Sequence, residues 1–274
     1  MFTSGQTHFM NFSKTRILSF LCWVLLLLTF TVSVSATTAV CERESSAQLH
    51  GVKRVIDADT LELSNGQRVR LIGVDAPELG RRGAPDEPFA REGKRALEHK
   101  INQTGGQIWV QPGEDPYDRY NRLLADLFFA NGQSIQGWLL EQGWVMQVFV
   151  APNLRYADCL KPLETQARAA QLNIWSLPEY QQGIESTRIL STIQGAVIVK
   201  GKVLRIGRSQ ANLWLNLEGG VAVQIPRDQL DRFDARLDQL EGKVVRVRGW
   251  IIRENSRHHQ WRIRLDDGRA LEVL

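Results

Sequence analysis

The alternation of apolar and polar positions divides the chain into a β-rich front, a helical middle and a second β-rich tail. Residues 52–64 alternate and are rich in Val, Ile, Thr and Leu, which predicts a strand. Asn65-Gly66 is a hairpin-turn dipeptide, and 67–74 is the returning strand. Residues 79–87 are polar, with Gly, Pro and Arg, and read as a loop. Pro88 opens a predicted helix over 88–101, because proline is tolerated in the first helical turn. Strands over 107–110 and 122–129 flank a loop rich in Pro and Gly that runs through Tyr120. Ser134 can cap a short helix to 142, residues 144–150 are extended, and 156–171 form a helix before Leu172-Asn173-Ile174-Trp175 closes the unit.

Short strands in hairpins, with helices packed on one side, predict an α+β body built on a small β-barrel over 52–177, preceded by an N-terminal arm, 37–51. Residues 178–194 are rich in Gln, Ser and Glu and read as a linker. The β pattern returns over 196–206, 213–217, 221–225, 243–253, 260–265 and 270–274, with a short helix expected near 227–240. Those strands and one helix within 195–274 fit a second, smaller OB-like barrel.

The N-terminus has a separate character. Lys14 and Arg16 precede an apolar run from Ile17 to Val34, which ends in Val34-Ser35-Ala36. This reads as a secretory signal peptide over 1–36. The other reading is an uncleaved anchor, since the run approaches the length of a bilayer span. The expected location is secreted or periplasmic, with membrane attachment only if that segment is kept. Cys41 and Cys159 then remain as an even pair in an oxidising compartment, able to form one disulfide or to stay as two thiols. No C-x-x-C or His/Cys cluster is present, which argues against zinc.

The net charge of +4 is unevenly spread. Residues 37–194 carry 17 basic and 20 acidic groups, a net of −3, and 195–274 carry 15 and 10, a net of +5. The body is therefore slightly acidic and the tail basic.

Candidate chemistry sits in four segments: Ile56-Asp57-Ala58-Asp59-Thr60, the run from Arg70 to Glu78, Asp118-Arg119-Tyr120-Asn121-Arg122-Leu123, and Leu172 to Trp175. Asp59 on the first strand and Asp75 just past its hairpin partner can be neighbours, and two carboxylates with backbone oxygen and water suit calcium. Glu78 follows at the Pro77 turn, where it can hold or deprotonate a water. Arg70 and Arg122 carry guanidinium forks that fit phosphate oxygens.

Together these spacings resemble the staphylococcal (thermonuclease) nuclease family, across about Val52 to Trp175. The resemblance implies an OB-type five-stranded barrel with helices and a Ca2+-dependent phosphodiesterase acting on DNA, RNA or both. It implies Asp59, Asp75 and the main-chain carbonyl of Ala76 as calcium ligands, and Glu78 as the base acting on water. Arg70 and Arg122 would clamp the phosphate, with Arg119 and Tyr120 beside the bound nucleotide. The run Val148 to Asn153 departs from the family in carrying no tyrosine, and leaves Phe149 as its aromatic side chain.

In the tail, strand periodicity puts Arg246, Arg248 and Trp250 on one face, and Arg262 and Arg264 on one face of the next strand. Arginines and aromatics so arranged form a candidate surface for single-stranded nucleic acid; the other reading is a solvated outer face. Beside the enzyme stand two other functions: a non-catalytic nucleic-acid-binding protein, and an envelope interaction module. No stable protein partner is inferable from the sequence.

Overall fold

A turn at Ala58 and Asp59 breaks the first apolar stretch into two strands, β1 (Gln48–Asp57) and β2 (Thr60–Leu63), paired antiparallel with Asp57 opposite Thr60. The sequence pattern ran as one strand to Ser64. The difference comes from Asp57, whose carboxylate accepts the Asp59 N–H at 3.2 Å and folds the chain back on itself. The structure is a computed structural model that describes residues 1, 2, 5, 41–80, 83–193, 195–234, 236–254 and 256–274. The apolar run over 17–36, the core of the signal expected over 1–36 or the anchor in its place, lies outside the described residues, and among those described no helix is long and apolar enough to cross a membrane. Residues from Cys41 onward belong to one unit.

The chain continues through β3 (Arg68–Leu71), β4 (Val74–Asp75), helix α1 (Ala90–Gln103), β5 (Gln107–Tyr117), β6 (Leu123–Phe129), α2 (Ile135–Glu141), β7 (Met146–Gln147) and α3 (Ala157–Ala169). The strands close a five-stranded barrel in the order β1-β2-β3-β6-β5, and β4 pairs with β7 beside it. Val55, Leu61, Leu63, Val69, Ile108 and Leu127 fill its interior and are almost wholly removed from solvent. Strand β5 runs on through Pro112, where a loop was expected, and the register slips between Pro112 and Tyr117. Proline has no N–H for the ladder, so the strand bulges rather than stops. Helix α1 buries Ala90, Gly93, Leu97 and Ile101. A Cβ on Gly93 would sit 3.3 Å from the Ala58 side chain, so glycine lets the helix press on the Asp57–Asp59 turn. Cys41 and Cys159 form a disulfide with Cα atoms 5.6 Å apart, tying the N-terminal arm to α3.

Residues 178–194 carry α4 (Pro178–Gln181) and β8 (Ile184–Glu185), and β8 pairs with the next strand. The tail supplies β9 (Ala196–Arg208), β10 (Asn212–Leu217), β11 (Val221–Pro226), β12 (Val244–Arg253), β13 (Trp261–Arg264) and β14 (Leu271–Val273). Pairings β9–β10, β10–β11, β11–β13, β13–β12 and β12–β9 close a second barrel, with β14 and β8 attached. The helix expected near 227–240 is two short 3-10 segments, Arg227–Arg232 and Leu237–Gln239. They bring Phe233, Leu237 and Leu240 into the core of that barrel without needing a continuous helix.

The barrels meet across a charged seam. Arg248 on β12 is 6% exposed and binds Glu164 of α3 at 2.6 Å and the Gln147 carbonyl at 3.2 Å. Glu164 in turn accepts the Gln147 N–H at 2.6 Å. Arg168 and Arg246 both reach Glu272 of β14, at 3.1 and 2.6 Å. Phe149 and Ala157 of the first body lie in the apolar cluster of the second barrel. Arg246 and Arg248 are thus parts of this seam, a correction to their expected place on an open nucleic-acid surface. Strand parity put them on the outer face, but α3 covers that face.

Two predictions arise. Arg248→Ala strands the buried Glu164 carboxylate and is expected to cost about 3–5 kcal/mol in urea unfolding. Asp126 on β6 is buried, which pushes its carboxyl up to about 7. A raised carboxyl favours the folded state below its unfolded value of 3.8, and that contribution is lost as pH rises through about 7. Asp126→Asn should therefore stabilise by about 2–3 kcal/mol more at roughly pH 8 than at roughly pH 5, measured by the same unfolding.

Candidate active site

The Asp57–Asp59 turn points Asp59 away from the barrel ladder and towards the segment after β3. Asp59 Oδ2 accepts the Ala76 N–H at 2.7 Å and Oδ1 accepts the Thr60 hydroxyl at 2.9 Å. Gly73, at φ 74°, turns the chain between β3 and β4. That turn brings Asp75 back over β3, where Arg70 lies. The Arg70 guanidinium sits between the two carboxylates, with Nη1 2.8 Å from Asp59 and Nη2 2.5 Å from Asp75. Nη1 also donates to the Val74 carbonyl at 2.9 Å. The structure therefore joins Asp59, Arg70, Asp75 and Ala76 directly. Asp59 stands in a turn, not on the strand where the alternation had put it.

Charge is poorly balanced here. Burial, then the neighbouring Asp59 carboxylate, pushes Asp57 up to about 8. Burial pushes Asp75 up to about 7 against the pull of Arg70. Burial opposes the Arg70 charge, yet Asp59 and Asp75, followed by Asp57 and Glu78, hold it protonated above its ordinary value. Glu78 adds negative charge at both raised aspartates, and its N–H donates to Glu87 at 2.8 Å. Four carboxylates, from Asp57, Asp59, Asp75 and Glu78, thus act on one guanidinium.

Among the described residues, no three His, Cys, Asp or Glu side chains are grouped closely enough to hold a metal by themselves. Arg70 occupies the space between Asp59 and Asp75. The donor set still fits a hard divalent cation: it is all oxygen, it carries surplus negative charge, and calcium completes its shell with carbonyls and water. Asp59 and Asp75 with the Ala76 carbonyl are the residues that would hold it.

Arg122 immediately precedes β6, the strand paired with β3 on which Arg70 lies. Arg70 pairs with Leu124 across β3 and β6, and Arg122 is two residues before Leu124. Asp118 fixes Arg122 at 2.7 Å and accepts the N–H groups of Tyr120 and Arg122, each at 2.9 Å. Burial works against the Asp118 charge, but these hydrogen bonds hold its carboxyl below the usual range. Tyr120 is 65% exposed, with the Arg119 and Arg122 guanidinium groups 4.8 and 5.6 Å from its ring. Arg68, Tyr120, Asn121 and Arg122 line part of an open cleft of ≈ 430 Å³. A larger cleft of ≈ 820 Å³ lies at the barrel seam, away from this cluster and lined by Glu164, Arg168, Arg248 and Glu272.

Phe149 takes no part in the cluster: it is buried against the second barrel, with Arg269 5.6 Å from its ring. In the tail, Arg262 is held by Glu254 at 2.5 Å and Arg264 by Asp266 at 2.8 Å, while Trp250 is 38% exposed. Two residues given no role from sequence belong to the cluster's surroundings. Asp57 makes the turn, and its spacing of two from Asp59 was the available signal. Tyr180 of α4 lies near enough to Glu87 and Asp75 that burial and then their charge raise its hydroxyl well above the ordinary value. Nothing in its local sequence marks it, because only the packing of α4 brings it there.

Residues 68–177 match the family described as Staphylococcal nuclease homologue. The chain is 33% identical over 141 residues to "Thermonuclease" of Staphylococcus intermedius, covering 48% of this chain and 82% of that protein. It is 32% identical over 131 residues to "Endonuclease YncB" of Bacillus subtilis (strain 168), covering 46% of this chain and 61% of the relative. It is 30% identical over 131 residues to "SPbeta prophage-derived endonuclease YokF" of the same organism, covering 46% of this chain and 44% of the relative. The chain thus spans most of the first and about half of the other two.

Arg70→Gln removes the cation that the buried carboxylates share. In chelator-treated protein it should destabilise by about 3–5 kcal/mol near pH 8, with a smaller loss near pH 5, where the aspartates take up protons. Urea titrations at both values check this.

Proposed function

This chain belongs to the staphylococcal nuclease family and is a nuclease, and we propose that it is a calcium-dependent phosphodiesterase that hydrolyses DNA, RNA or both outside the cytoplasm. The observation that carries the reading is the Asp59–Arg70–Asp75 cluster, in which a guanidinium lies 2.8 and 2.5 Å from two carboxylates in a surplus of negative charge. Such a site suits a divalent cation and a phosphate diester together, the cation answering the carboxylates and the diester answering the arginines. The Cys41–Cys159 disulfide supports the location, because such bonds persist in oxidising compartments.

In this reading Asp59, Asp75 and the Ala76 carbonyl would hold calcium, which would supply positive charge against the phosphate oxygens. Glu78 orients the attacking water and accepts its proton as the water oxygen bonds phosphorus and the P–O5′ bond breaks, the departing 5′-oxygen taking a proton from solvent. Arg70 and Arg122 donate to the non-bridging phosphate oxygens and stabilise the charge that builds on them. Arg119 and Tyr120, exposed beside Arg122, contact the nucleotide next to the scissile bond.

The test is cleavage of single-stranded DNA and of RNA by the purified protein, in calcium or in EGTA, beside Glu78→Gln. Cleavage should require calcium, and the variant should lower kcat by roughly a hundredfold or more. Calcium-independent cleavage, or tight binding with no cleavage, would sink the reading.

A further inference from the structure

The second barrel carries a built outer face that the nuclease chemistry does not use. Leu213, Leu215 and Leu217 of β10, Val221, Val223 and Ile225 of β11 and Ile263 of β13 are buried inside. The alternate residues point outward and line up across strands. One row runs Gly207–Trp214–Gln224–Arg264, and the next runs Arg205–Asn216–Ala222–Arg262–Ile252. Gly207, directly opposite Trp214 on β9, has no side chain to stand beside the ring on that side.

Trp214 is half-buried, and its surroundings hold it in place. Its indole N–H donates to Ser209 in the β9–β10 loop at 3.4 Å. His259, from the β12–β13 loop, packs against it with ring centres 5.6 Å apart and planes tilted by 32°. A polar chain fixes that loop: Gln224 donates to Asn212 at 3.0 Å, Arg262 donates to Gln224 at 2.7 Å, and Glu254 binds both Arg262 and His259. The second and third strands, with the first–second and fourth–fifth loops, form the surface on which OB-type barrels hold oligomers.

Charge selects the occupant. Residues 195–274 carry a net +5, from 15 basic and 10 acidic groups. Arg208, Arg262 and Arg264 are each paired with a carboxylate. Arg205, Arg227 and Arg257 have no carboxylate partner among the described residues, and Arg227 donates to the Ser209 carbonyl at 3.4 Å, beside Trp214. A rigid aromatic platform rimmed by uncompensated arginines suits a polyanion that carries flat rings.

We propose that this face, centred on Trp214, holds a single strand of nucleic acid. A base stacks on Trp214 beside His259, and phosphates lie on Arg205, Arg227 and Arg257. The proposal takes the identity of the polymer from the nuclease reading, and it replaces Arg246 and Arg248 as the tail's nucleic-acid contacts.

The experiment uses the full chain carrying Glu78→Gln, in EDTA at low salt, with a fluorescein-labelled oligothymidylate of about 15 nucleotides read by anisotropy. Adding Trp214→Ala should weaken binding about tenfold, and Trp214→Phe should retain most of it. Arg205→Glu should weaken binding and flatten its dependence on salt. In the catalytically intact chain, Trp214→Ala should raise KM for a long strand about as much as it weakens oligothymidylate binding. Thermal unfolding of each variant excludes loss of fold. Affinity unchanged in both Trp214→Ala and Arg205→Glu overturns the proposal. So does quenching of Trp214 by a neutral oligosaccharide but not by the oligonucleotide. If the intact chain cleaves nothing yet binding still depends on Trp214, the nuclease reading fails and this surface stands.

Discussion

The Arg70 guanidinium, placed between the Asp59 and Asp75 carboxylates, is the interaction on which the nuclease end of the molecule depends. Charges this far from water are stable only when paired with good geometry, and the pairing here draws on three pieces of chain. The Asp57–Asp59 turn supplies one carboxylate, β3 supplies the guanidinium, and the turn at Gly73 returns the second carboxylate. Gly93 on α1 and the Asp59 bond to the Ala76 N–H hold these pieces in register. The barrel is the frame that lets them converge.

The same pairing leaves the site incomplete as a set of charges. One guanidinium cannot neutralise Asp57, Asp59, Asp75 and Glu78, and burial raises Asp57 and Asp75 towards neutrality instead. A group that must take up a proton in the folded protein lowers stability as pH rises. The site is thus tuned for further positive charge at some cost to stability, a common balance where function needs a strained electrostatic arrangement.

The barrel seam shows ion pairing used for a different end. Arg248 and Glu164 are both buried and answer each other, with Glu272 drawing in Arg168 and Arg246. Such a seam adds little net stability over apolar packing, but it penalises any misplacement of one barrel on the other. Phe149, Ala157 and Ile198 supply the apolar contacts around it. Much of the tail's basic charge is consumed there or in local pairs, so the tail is less open to a polyanion than its composition suggests. Among the described residues, Arg205, Arg227 and Arg257 near the Trp214 face have no carboxylate partner.

The sequence by itself determined the α+β class, the two β-rich barrels and the nuclease motif, because these rest on alternation, turn dipeptides and the short-range spacing of Asp, Glu and Arg. It also left Cys41 and Cys159 as an even pair, though not their contact. Strand alternation states which residues share a face, yet says nothing of what packs on that face. Arg246 and Arg248 therefore had the parity of an open surface, and only the docking of α3 made them a buried seam. Trp214 on β10 meets His259 of the β12–β13 loop, 45 residues further along the chain, and Tyr180 nears Asp75 only because α4 folds back. Tertiary packing decided these cases, since contact between distant segments depends on how whole elements fill space and not on local period.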